Sequence, residues 1–126
     1  MTERRLISSG SKWEPVLGYS RAVKAGNAIY VSGTVGVAPD GSVPEGVYDQ
    51  ARCALDIICK ALADAGSRPE DVVRTRVFMT DVGQFDELAR AHGERFGAIR
   101  PATTVVEVRA LVAPEFLVEI EAVAVV

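Results

Sequence analysis

The closing run FLVEIEAVAVV carries Glu119 and Glu121 two residues apart. On a strand that spacing turns both carboxylates to one side, together with Leu117, Val123 and Val125. A carboxylate among apolar neighbours finds a partner or has its pKa raised, and a raised carboxylate can act as acid, base or water orienter. The alternative is an ion-paired or solvated residue at a protein contact. Tyr19 and Arg21, in GYSRAV, repeat the spacing near the other end. An extended chain there puts a phenol and a guanidinium on one side, where the cation suits an anionic ligand. The plainer alternatives are an interface tyrosine and a solvated arginine.

Other reactive residues point away from chemistry. His92, the one histidine, shares a helical stripe with Phe85, Leu88 and Phe96, which suits packing. Cys53 and Cys59 lie six apart without CxxC spacing, as reduced thiols of a cytoplasmic protein would. With a single histidine they make no metal-ligand pattern. The glycines of SGTVG do not form GxGxxG, and no helix follows them, so a phosphate-cradling loop is not supported.

The elements that position these residues follow from periodicity. YSRAV and AIYVSGT read as a hairpin about Gly26-Asn27, followed by the Gly- and Pro-rich loop GVAPDGSVPEG. Ala51, Leu55, Ile58, Leu62 and Ala65 mark an amphipathic helix over about 47–65, with Gly66 at its C-cap. DVVRTRVFMTD reads as a strand with Val73, Thr75, Val77 and Met79 on one face. Asp81 and Gln84 form a capping-box pattern ahead of a helix whose apolar face is Phe85, Leu88, Ala89, His92 and Phe96. ATTVVEVRAL and the glutamate run are the last strands, separated by a turn at Ala113-Pro114. Trp13 and Glu14, in SKWEP, sit beside the tyrosine, and Pro15 predicts an extended Glu14.

The class is α+β, a mixed sheet covered on one face by two helices, in one domain over residues 1–126. Apolar residues on both sides of the strands predict self-association, because two helices cannot cover both faces. The chain is 48% hydrophobic and 25% charged, with 14 Lys or Arg against 17 Asp or Glu, a net charge of −3. That balance argues against a phosphate-backbone binder, and the polar N-terminus against secretion or membrane insertion. Cytoplasmic location with no nucleic-acid or membrane partner is the expectation.

GYSRAVKAGNAIYVSGT, QARCALDIICKAL, RTRVFMTD, RPATTVVEV and VEIEAVAV occur here in the order found in the YjgF/RidA family, which the chain resembles over nearly its whole length. The resemblance implies a chorismate-mutase-like fold and a homotrimer with a central β-barrel and clefts between subunits. It implies hydrolysis of reactive enamines and imines to 2-keto acids and ammonia, without a cofactor. Glu119 matches the family glutamate that positions water, Tyr19 the tyrosine bordering the cleft, and Ser32-Gly33 the bordering SG pair. Glu107 matches the glutamate of the VEV strand. The family arginine is missing: PATT stands where PAR is usual, and Thr103 cannot offer a carboxylate a bidentate fork.

On that resemblance Glu119 activates water, and Tyr19, Thr103 and the backbone N–H groups of Thr104 and Val105 hold polar atoms. Arg21 holds the anionic end of a small ligand. A ligand-binding or regulatory trimer that has lost the chemistry is the alternative. An endoribonuclease, which the acidic balance and lack of a histidine pair disfavour, comes last.

Overall fold

The computed structural model describes residues 3–126. Six strands form one mixed sheet in the order β1-β2-β3-β6-β4-β5. They are β1 (Arg4–Ile7), β2 (Ala22–Ala25), β3 (Ala28–Thr34), β4 (Val72–Met79), β5 (Ala102–Glu107) and β6 (Val118–Val125). Only the β4–β5 pair is parallel. Helices α2 (Val47–Asp64) and α3 (Phe85–Phe96) cover one face, and the short α1 (Trp13–Leu17) precedes β2. The α+β expectation and the two-helix cover are what the chain adopts.

The hairpin turns at Gly26-Asn27, with Ala25 opposite Ala28 and Gly26 at φ 62°, the left-handed backbone such a tight turn needs. Along α2 and its C-cap Ala65 the expected stripe is buried: Ala51, Leu55, Ile58, Leu62 and Ala65 are each at most 1% exposed. Fully burying a side chain such as Ile58 or Leu62 stabilises the fold by about 1.5–3 kcal/mol. The helix stops where Ser67 N–H reaches Leu62 O (2.8 Å) and Gly66 N–H reaches Ala63 O (3.0 Å), satisfying carbonyls the helix cannot.

Several local expectations differ. Val73 is 47% exposed and Val72 is buried, because a bulge between Val72 and Arg74 shifts the phase of β4 against β6. On α3 the buried residues are Leu88, Ala91 and Phe96, whereas Phe85 and Ala89 are exposed. A 3₁₀ turn over Val82–Gln84 intervenes after Asp81, so the helix begins later and its stripe is rotated. Asp81 does cap, accepting from Gly83 N–H at 2.9 Å. Strand β1 and helix α1 carry too little alternation to be read from sequence.

Glu14 is helical rather than extended. As the third residue of α1, Pro15 gives up an N–H that would have no helical partner anyway. The buried Glu14 carboxylate accepts from Ser9 Oγ (2.5 Å), Ser9 N–H (3.2 Å) and Ser11 N–H (3.2 Å). Burial alone would raise its pKa, but these hydrogen bonds outweigh that and hold it below the usual carboxylate value.

Gln50, 2% exposed, ties the loops that lead into the site. Its Nε2 donates to Pro44 O (3.0 Å) and Glu115 O (2.9 Å), and its Oε1 accepts from Leu117 N–H (2.8 Å). Leu117, expected on the glutamate face, therefore stands just before β6 and packs on the core. Gln50→Leu strands two carbonyls and an N–H. We expect it to lower unfolding stability by about 2–4 kcal/mol, measured by denaturant titration.

Candidate active site

Strand β6 separates its residues cleanly. Val118, Ile120, Ala122 and Ala124 are buried beneath the helices. Glu119, Glu121, Val123 and Val125 face the open side of the sheet. Cross-strand rows extend this pattern, with Glu121 beside Arg76 and Thr104, and Glu119 beside Phe78 and Val106. Glu121 is ion-paired within its own chain, to Arg76 at 2.9 Å. Among the described residues Glu119 has no such partner.

What Glu119 meets is β3. The register of β3 slips between Val31 and Thr34, and Gly33 lies in that slip directly against the Glu119 carboxylate. A Cβ on Gly33 would stand 3.0 Å from the carboxyl carbon, so glycine is what lets the side chain lie there. Burial pushes the Glu119 pKa up, Glu121 adds to the rise, and Arg21 draws it back.

Arg21 is 6% exposed and turned inward. Its Nη1 donates to Gly33 O (2.9 Å) and Thr34 Oγ1 (2.9 Å), its Nη2 to Tyr19 Oη (2.9 Å), and its Nε more weakly to Ser9 Oγ (3.4 Å). A guanidinium has five N–H groups, so one on Nη2 is left over. Arg21 thus stands beside Tyr19, but not by strand alternation, because both precede β2 and Arg21 lies in a bend; its guanidinium fixes both the phenol and the Gly33 backbone. Ser32 Oγ donates to Ser20 O at 2.7 Å and locks the same two segments together. Tyr19, Arg21, Ser32, Gly33 and Glu119 form one group. The role of Arg21 as its organiser was not legible, because the sequence does not give its partners.

Thr103 belongs elsewhere. In the parallel register it lies opposite Thr75, on the helix side of the sheet, with Oγ1 atoms 2.8 Å apart. Thr104 faces the open side, 3.5 Å from Arg74 Nη2, and Val105 packs against the core. Within one protomer the Thr103 side chain and Glu119 therefore occupy opposite faces. Glu107 accepts from Val82 N–H at 3.0 Å. His92 is half-buried, its ring centroid 4.8 Å from that of Phe96, as a packed histidine. Cys59 lies between helices with its Sγ 2.8 Å from Arg95 Nη1, and burial raises its pKa against the pull of Arg95.

The hollows of the described surface include two near these strands and loops. One of about 290 Å³ lies on the open face among Tyr30, Ser32, Arg74, Arg76 and Glu121. The other, about 390 Å³, lies in the loop of Arg109, Leu111 and Pro114. Neither is lined by Glu119 or Tyr19, and of their group only Ser32 borders the first hollow. No group of three metal-ligating side chains occurs among the described residues.

The profile of the Endoribonuclease L-PSP family matches residues 10–126. The chain belongs to this family. Among solved structures, a Mycobacterium tuberculosis member of the YjgF/YER057c/UK114 family superposes with a TM-score of 0.92 at 46% identity, covering 98% of this chain and 100% of that one. RidA from a Psychrobacter species superposes with a TM-score of 0.82 at 30% identity, covering 96% and 94%. The mouse 2-iminobutanoate/2-iminopropanoate deaminase is 35% identical over 124 residues, 97% of this chain and 91% of the relative. The fold is that of the L-PSP family, and its homologues support imine deamination as a family-level activity. No helix among the described residues is long and apolar enough to cross a membrane.

Proposed function

We propose that this protein hydrolyses small imines or enamines at clefts formed between the subunits of a homotrimer. The observation that carries the reading is Glu119: a half-buried carboxylate with raised pKa, lying against Gly33 and beside the Arg21–Tyr19 pair. Such a group accepts a proton from water as the water attacks the imine carbon. The carbinolamine that forms collapses as its nitrogen is protonated and leaves as ammonia, and the carbon becomes a ketone. Tyr19, oriented by Arg21, supplies a hydroxyl to the substrate. An anionic substrate group would meet the remaining Arg21 N–H.

The trimer is supported by the open face. Leu6 is 64% exposed there and Tyr30 54%, and Arg74 Nε is buried without a partner. Such a face calls for cover. The opposed placement of Thr103 and Glu119 fits the same reading, since strands from neighbouring subunits could bring them to one cleft. Light scattering is expected to give three times the 13.4 kDa chain mass. A stable monomer at micromolar concentration would remove the cleft and the site with it. With 2-iminobutanoate generated in situ by an amino-acid lyase, keto-acid release should exceed the spontaneous rate. A trimer that gives no acceleration supports the ligand-binding alternative instead.

A further inference from the structure

His92, Thr75 and Thr103 form a chain of side chains that the Glu119 group does not use. Thr75 is fully buried on β4. Its Oγ1 lies 2.9 Å from His92 Nε2 on α3 and 2.8 Å from Thr103 Oγ1 on β5. Thr103, exposed at the sheet edge, also donates to Pro101 O at 3.2 Å.

Hydrogen counting gives this chain a direction. A threonine hydroxyl has one proton, and a carbonyl only accepts. With the Thr103 proton on Pro101 O, Thr75 must donate to Thr103. Its own proton is then used, so the hydrogen between His92 and Thr75 comes from the ring, which must carry Nε2–H. In the reverse order Thr103 donates to Thr75 and Thr75 to the ring, and Pro101 O loses its donor. Both orders satisfy the enclosed Thr75 hydroxyl, and the first makes one more hydrogen bond, the one from Thr103 to Pro101 O.

We infer that His92, acting through Thr75, fixes the polarity of the Thr103 hydroxyl so that it presents a lone pair rather than a proton at the β5 edge. On the imine-hydrolase reading, on which this ligand assignment rests, Thr103 is a specificity-determining residue for a ligand N–H: an imine, amine or amide. His92 and Thr75 are its positioning residues. A carboxylate gains nothing there, since both sides would offer lone pairs. The histidine stays neutral in this role, because burial against Phe96 lowers its pKa and no charged neighbour counters it.

His92 is the only histidine, so its ring nitrogens can be read by NMR in isotope-labelled protein without ambiguity. The free wild-type protein is expected to show the Nε2–H tautomer. Thr103→Val removes the acceptor of the Thr75 proton, which turns to His92, and the ring should switch to Nδ1–H. Thr103→Ser keeps the hydroxyl and should keep Nε2–H. A wild-type Nδ1–H ring, or a tautomer unmoved in folded Thr103→Val, overturns the inference. Butanamide, added as probe, is expected to shift the Nε2 resonance and butanoate to leave it; an equal response to both, or to neither, overturns the donor-reading role. The tautomer is measured without substrate, so failure of imine hydrolysis leaves that result standing, and the reverse holds too.

Discussion

Glu119→Gln is expected to lower imine hydrolysis at least about 100-fold, the scale on which a positioned general base contributes, while making the protein more stable at neutral pH. The two effects share one cause. Burial and the nearby Glu121 raise the Glu119 pKa more than Arg21 lowers it, so ionising this carboxylate costs the folded state more than the unfolded one. In the window between the unfolded and the raised folded pKa, the native state binds more protons, and stability falls as pH rises. Below the unfolded value the contribution is fully present. Glutamine carries no charge, so the advantage of the variant should appear as pH climbs through that window and vanish under acid conditions. Thermal unfolding over a pH series reads this directly. The wild-type rate should fall on acidification through an apparent pKa above the ordinary value of about 4.3. Undiminished turnover in the glutamine variant would make the carboxylate structural.

The fold was legible because its strongest signals are local. The α2 stripe, the Gly26-Asn27 turn and the alternation of β6 each follow from periodicity within a few residues. The errors arose where one residue changes the phase. The bulge at Val72–Arg74 moves Val73 out of the core, and the 3₁₀ turn after Asp81 rotates the α3 stripe. The site was legible on β6 as a set of directions. The expected strand begins only at Ala22, so Arg21 meets Tyr19 through a bend rather than by alternation, and only the folded chain shows Ser9, Gly33 and Thr34 taking up that guanidinium. The link from Thr103 to His92 passes through Thr75, which reads from sequence as an ordinary core-facing position. Nothing in PATT announces it.

Gly33→Ala separates the fold from the site most sharply. Gly33 does not use the left-handed backbone region, so alanine can take its conformation, and the narrower unfolded ensemble favours alanine by roughly 0.4–1 kcal/mol. The added methyl meets the end of a flexible side chain, the Glu119 carboxylate, with the carboxyl carbon at 3.0 Å. The fold can therefore absorb the change by rotating Glu119, and the site cannot. Displacing a reacting group by about 1 Å costs on the order of 100-fold in rate. We expect a normal unfolding midpoint with kcat/KM lower by about 10- to 100-fold. The double variant Gly33→Ala/Glu119→Gln should be no worse than Glu119→Gln alone, because both changes act on the same carboxylate. A full additional loss in the double variant would mean that Gly33 acts through its backbone, by way of the carbonyl that Arg21 holds, and not through the space it leaves for Glu119.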